Sequence, residues 1–157
     1  MNFASVLNRK AEDIQRPKNL PVGHYIASVK KLPDQAKISD GRFDILDFTL
    51  SIQSACEDVD PDELEGFGAA VAGQLVRKRF LFNTDPAEER GFALSMNQLK
   101  TFLTNLDIGF TDGAGMTVGE ALNGSVGAFV KVQVTHRADP KDASNIFTEV
   151  GATSSAA

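Results

Sequence analysis

The chain has 157 residues, 42% of them hydrophobic and 24% charged, which is the size and make-up of one globular domain with its own core. No apolar run approaches the ~18 residues that a membrane helix needs. Met1 to Lys10 lack the basic-then-apolar order of a secretory signal. Cys56 is the single cysteine, which excludes an internal disulfide and makes a cytoplasmic location, cellular or viral, the expectation.

The net charge of −5 argues at first against a nucleic-acid partner. Its distribution says otherwise. Six acids (Glu57, Asp58, Asp60, Asp62, Glu63 and Glu65) crowd one segment, and outside it sixteen bases face fifteen acids. Residues 1–42 hold eight bases and four acids, a local balance of +4. One acidic loop masks a mildly basic body.

In chain order, Phe3, Val6, Leu7, Ala11 and Ile14 recur at helical spacing up to Pro17. They predict a short amphipathic helix whose apolar stripe docks on the body, followed by an extended arm over residues 16–20. A partner-binding arm is the other reading of that stripe. Residues 24–32 alternate as a first strand, Pro33-Asp34 breaks it, and Ser39-Asp40-Gly41 supplies turn chemistry. Residues 43–54 alternate strictly, with Leu46, Phe48, Leu50 and Ile52 on one face. This second strand makes a hairpin with the first through a long basic loop.

Asp60, Pro61 and Glu63 form a capping box with proline at the first helical position, predicting a helix to about Val71 that ends at Gly73. A third strand is predicted over residues 74–82, with Val76, Phe80 and Phe82 on one parity and Arg77 and Arg79 on the other. Ser95 with Gln98 opens a helix whose apolar face is Met96, Leu99, Phe102, Leu103 and Leu106. Thr117 with Glu120 begins a brief helix that stops at Asn123-Gly124. The fourth strand spans residues 125–135, with Val126, Ala128, Val130, Val132 and Val134 inward and Phe129, Lys131, Gln133 and Thr135 outward. A last strand covers 145–150, after a polar turn at residues 139–142.

The expected fold is mainly β with short helices. It is a five-stranded antiparallel barrel of the OB type, with a helix between strands 3 and 4 and an amphipathic helix at the N-terminal end. The expected divisions are residues 1–20 as helix and arm, 21–150 as the OB-like domain and 151–157 as a flexible tail. An open sheet crossed by a helix has the same periodicity and stays as the alternative.

Signals for catalysis are poor. His24 and His136 are the only histidines, neither lies near Cys56 in sequence, and no phosphate-binding, dinucleotide or nucleophile-elbow motif is present. The histidines and single cysteine give no zinc spacing. A calcium loop counted from Asp58 would need glycine where Glu63 stands and an acid where Ala69 stands, so it fails. No enzyme activity, cofactor or metal is expected.

The remaining feature is a set of cations and aromatic rings: Lys30, Lys31, Lys37, Arg42, Arg77, Arg79, Lys131 and Arg137, with Phe43 and Phe129 as stacking rings. A single strand of nucleic acid is held by cations along its phosphates and by flat side chains under its bases. These residues come from the elements that form the ligand face of an OB barrel. Against this stands the ordinary reading, solvated cations and outward phenylalanines packed under a helix or arm. Arg77-Lys78-Arg79 puts charge on both faces of one strand, so one of the three must snorkel or reach the rim.

Three stretches carry a resemblance: Arg16-Pro17-Lys18-Asn19-Leu20-Pro21-Val22-Gly23-His24-Tyr25, Asp47-Phe48-Thr49-Leu50, and Gln98-Leu99-Lys100-Thr101-Phe102-Leu103. With the order of elements over about residues 5–150, the chain resembles a family of bacteriophage early proteins, single-stranded-DNA-binding proteins of OB fold. The likeness implies sequence-tolerant coating of exposed strands during phage replication or recombination, in the host cytoplasm. Its implied partners are single-stranded DNA and phage replication or recombination proteins, and it leaves room for a homo-oligomer. Many single-strand-binding proteins recruit partners through an acidic tail. Residues 151–157 carry no charge, so the six acids of residues 57–65 are the expected recruiter. The alternative function is a non-enzymatic phage structural or protein-interaction module.

Overall fold

A computed structural model describes residues 2–14, 16–37 and 42–157, with the backbone alone for Ala36 and Lys37. The predicted turn at Ser39-Asp40-Gly41 lies outside the described residues. Six strands form one antiparallel sheet: β1 (Gly23–Val29), β2 (Asp34–Lys37), β3 (Phe43–Ala55), β4 (Leu75–Asn83), β5 (Phe129–Asp139) and β6 (Asp142–Ser154). The helices are α1 (Phe3–Leu7), α2 (Pro61–Phe67), α3 (Glu89–Asn105) and α4 (Val118–Gly124).

The thirteen-residue β3 organises the sheet. One of its edges pairs with β4 from Phe43↔Asn83 to Ser51↔Leu75. Its other edge takes β2 along Asp44–Asp47 and β1 along Leu50–Ala55, so β1 and β2 lie end to end. β1 passes the ladder to β5, and β5 to β6. The register slips between Ile26 and Ala27, where β3 carries one residue more than β1, a bulge that bends the strand. The sheet curls but does not close: among the described residues β4 pairs only with β3. The two end strands nevertheless meet, because the Lys78 ammonium donates to the Gly151 carbonyl at 3.0 Å. The barrel expectation is therefore met only as a curled, open sheet, and the strand count is six rather than five.

The core lies on the concave face. Tyr25, Ala27 and Val29 of β1, Phe48, Leu50 and Ile52 of β3, and Val130, Val132 and Val134 of β5 are buried, following the alternation of each strand. Helix α3 covers them with Leu99, Phe102 and Leu103, followed by Leu106. The rings of Phe48, Phe80 and Phe102 meet with centroids 4.7–5.8 Å apart, in tilted and edge-on geometries that aromatic quadrupoles favour.

Several boundaries differ from the sequence expectation. Helix α3 starts at Glu89 rather than at Ser95, because Asp85-Pro86 opens a 3-10 turn in which Asp85 accepts from the Ala87 N–H at 3.0 Å. Helix α2 stops at Phe67, where Gly68 takes the left-handed cap at φ 74°, so Val71 and Gly73 fall beyond it. The fourth predicted strand begins at Phe129, after a turn at Gly127 (φ 85°) that leaves Val126 half-exposed rather than inward. The last strand runs to Ser154, through residues assigned to the tail.

The apolar stripe of the N-terminal helix does not dock: α1 buries no residue, and Phe3, Leu7 and Ile14 are 75%, 70% and 66% exposed. The arm behind it is pinned. Asn19 donates to the Ile146 carbonyl, Lys18 to the Gly66 carbonyl and His136 to the Leu20 carbonyl, and the Leu20 side chain is buried.

Tyr25 closes this corner by donating to the Pro21 carbonyl at 2.7 Å. Burial, with the nearby charges of Asp58 and Glu63, pushes its phenol up to about 12. A folded value above the unfolded one means stability that is whole below about pH 10 and lost as pH rises through about 12. The chain has one tyrosine and no tryptophan, so the tyrosinate absorbance near 295 nm reports this residue alone. In native protein that absorbance is expected to rise near pH 12, and in denaturant near 10. Coincident curves would contradict the buried hydrogen bond.

Candidate nucleic-acid interface

Strand alternation sends one set of side chains to the convex face of β1, β3 and β4. Cross-strand register then assembles them in rows. Phe129, Ser28, Ser51 and Leu75 stand side by side across β5, β1, β3 and β4. Phe129 and Leu75 are about half exposed, and between them the Gln53 amide lies over the two serines, donating to Ser28 Oγ at 2.9 Å and to the Ser51 carbonyl at 3.3 Å, so the row has an apolar side chain at each end and a polar middle. In the neighbouring row Thr49 faces Arg77, and the Lys30 N–H donates to the Thr49 carbonyl at 3.0 Å. One row further, Asp47 faces Arg79. At about 3.3 Å per residue along β4, the backbones of Arg77 and Arg79 lie about 7 and 13 Å from Leu75 at the end of that row.

Asp47 organises the arginines. Its side chain is 9% exposed, and its Oδ2 accepts from Arg77 Nη1 at 3.4 Å and from Arg79 Nη2 at 3.2 Å. The guanidinium groups are 68% and 54% exposed, so they remain open to solvent while one buried carboxylate restrains them. Two arginines on one carboxylate keep a net positive charge at the surface. The third member of the cation triplet, Lys78, turns inward. It is half-buried over the Phe80 ring at 5.5 Å, and burial lowers its ammonium below the ordinary lysine value.

The chain matches no family model and no curated protein.

Of the sequence-predicted contacts, the sheet brings Lys30, Arg77, Arg79 and Phe129 onto this face. Lys131 lies one row beyond Phe129, opposite Ile26. Others lie apart. Lys31 is paired with Asp34 at 3.2 Å. Arg137, eight residues along β5 from Phe129, is held by Glu149 and lies over the Phe147 ring at 5.4 Å. Phe43 stands at the far end of β3 opposite Asn83, with the carbonyl of Arg42 accepting from Thr84 beside it. The Lys37 backbone pairs with Asp44, and its side chain lies outside the described residues.

The acidic segment occupies the opposite end of β3. Asp60 caps α2 by accepting from the Asp62 N–H at 2.8 Å. Asp58 accepts from the His24 N–H at 3.1 Å and lies 2.7 Å from His24 Nδ1, contacts that hold its carboxyl below the usual carboxylate range. These two acids therefore have structural roles; like them, Glu57, Asp62, Glu63 and Glu65 are exposed to solvent. Among the described residues, no group of three or more His, Cys, Asp or Glu side chains is arranged to hold a metal ion. Leu75, Ser28, Ser51 and Asp47 were not predicted as site residues. Their only sequence signal is a shared outward parity, and register is needed to bring them together.

Proposed function

We propose that this protein is a non-enzymatic OB-type domain that holds single-stranded DNA across the convex face of β1, β3 and β4. The single observation that carries the reading is the Arg77–Asp47–Arg79 cluster. Two solvent-open guanidiniums are anchored on a buried carboxylate beside the row of Phe129, Ser28, Ser51 and Leu75. Anchoring lowers the side-chain entropy lost when each guanidinium engages a phosphate. Each base stacked on an aromatic ring would contribute about 1–3 kcal/mol, independent of sequence.

The OB reading is supported by the order of pairing. If β1 and β2 count as one bent strand, the ladder runs β4–β3–β1–β5–β6, with α3 between β4 and β5 and the ends meeting at Lys78 and Gly151. The resemblance to phage single-strand-binding proteins extends the proposal to phage replication or recombination in the host cytoplasm. It also makes the exposed acids of residues 57–65 a surface for a basic replication or recombination partner.

Fluorescence anisotropy with labelled oligothymidine at two salt concentrations tests the reading. Binding is expected, with log affinity falling against log salt by about 0.7 for each phosphate contacted. Absence of binding at low salt would refute it. A protein-interaction module is the second reading, favoured by one observation, the unburied apolar side chains of residues 3–14.

A further inference from the structure

Among the described residues, two of the uncovered apolar surfaces lie toward opposite ends of β3. The first is the N-terminal segment, where Phe3, Val6, Leu7 and Ile14 all stand in solvent although residues 16–20 behind them are pinned to the body. The second is a groove of about 540 Å³ lined chiefly by Phe82, Phe92, Met96, Leu99, Val118 and Leu122. Phe92 remains 42% exposed there, with its ring 5.9 Å from that of Phe82.

The geometry points to docking of residues 2–14 in this groove on a second copy of the chain. The pinned arm adjoins the Ala55 end of β3, where the Cys56 N–H donates to the His24 carbonyl at 2.8 Å. The groove adjoins the other end, at Asp44–Leu46. Along the strand these ends are up to about 36 Å apart at about 3.3 Å per residue. From Arg16 back to Leu7 the chain could span about 30 Å only if fully extended. It is shortened by the 3-10 turn Ala11–Asp13 and by α1, so its own groove lies out of reach around a curved body.

Charge is complementary as well. Arg9 and Lys10 follow Phe3, Val6 and Leu7, and the segment that joins the groove residues Phe82 and Phe92 carries exposed Asp85, Glu88 and Glu89 against one base, Arg90. The N-terminal segment thus offers an apolar tip followed by cations, and the groove offers an apolar floor joined to an acidic segment. Each molecule carries one of each, so every chain can give its segment to a neighbour and receive one in its own groove.

Sedimentation velocity on the full chain over a wide concentration range tests this without DNA. The wild-type chain is expected to associate beyond its 16.9 kDa monomer as concentration rises. Phe3→Asp with Leu7→Asp, all exposed positions, should leave only monomer, and so should Phe92→Asp. An equimolar mixture of the two variants should regain a two-chain species, since one supplies an intact groove and the other an intact arm. Unchanged circular dichroism would confirm that both variants fold. A wild-type chain that stays monomeric throughout would overturn the inference, as would association that survives either variant or a mixture that fails to associate.

Discussion

Phe102→Ala is expected to lower the free energy of unfolding by about 3–5 kcal/mol. Its ring is 1% exposed, 4.7 Å from Phe48 and 5.5 Å from Phe80, so it joins α3 to the two strands β3 and β4 at once. Truncation removes the transfer energy of the ring and leaves a cavity bounded by two rigid aromatic side chains and the sheet backbone, which cannot collapse far. A domain of this size is stable by about 5–15 kcal/mol, so the loss is a large part of the whole. Urea denaturation followed by far-ultraviolet circular dichroism measures it. Phe92→Ala, on the same helix but 42% exposed, should cost about 1 kcal/mol, chiefly its ring contact with Phe82. Equal losses in the two variants would mean that the aromatic cluster is not where α3 is held.

That cluster was legible in the sequence. Phe48 and Phe80 fall on the apolar parities of their strands, and Phe102 on the apolar face of its helix, so periodicity alone assigns all three inward. Periodicity failed where an element was too short or too polar to display it. Strand β2 has four residues and begins at Asp34, within the Pro33-Asp34 pair that reads as a break; it forms because the free edge of β3 beyond β1 offers unpaired backbone groups. The end of β6, Gly151-Ala152-Thr153-Ser154, has no apolar pattern and is held through its backbone, with Lys131 opposite Ser154 and Asn105 donating to the Thr153 carbonyl at 3.2 Å.

The site divides in the same way. The outward parity of Arg77 and Arg79 was readable, and so was the need for at least one cation of the triplet to snorkel or reach the rim; Lys78 is the half-buried one, and its ammonium reaches the Gly151 carbonyl. Asp47 as their common counter-ion was not readable, because it depends on a cross-strand register that no local pattern encodes. The N-terminal stripe shows the converse limit. Helical spacing reveals an amphipathic segment but carries no information about which surface, in which molecule, receives it.

Arg77→Ala with Arg79→Ala is expected to weaken oligothymidine binding and to flatten its salt dependence by about 1.4, that is, about 0.7 for each lost phosphate contact. The change should be the same for mixed-sequence oligonucleotides, because phosphate contacts position a strand without reading it. The double variant also strands the Asp47 carboxylate, 9% exposed and with Oδ1 already lacking a hydrogen bond, so a stability loss of about 1 kcal/mol accompanies the loss of binding. That coupling separates two explanations. If binding fails because the sheet loosens, adding Asp47→Asn, which removes the stranded charge, should restore both thermal stability and affinity. If the guanidiniums themselves hold the strand, Asp47→Asn restores stability and leaves affinity low. The second outcome is expected, since the arginines are more than half exposed and the core beneath them contains neither. An unchanged salt slope in the double variant would move the strand off this face.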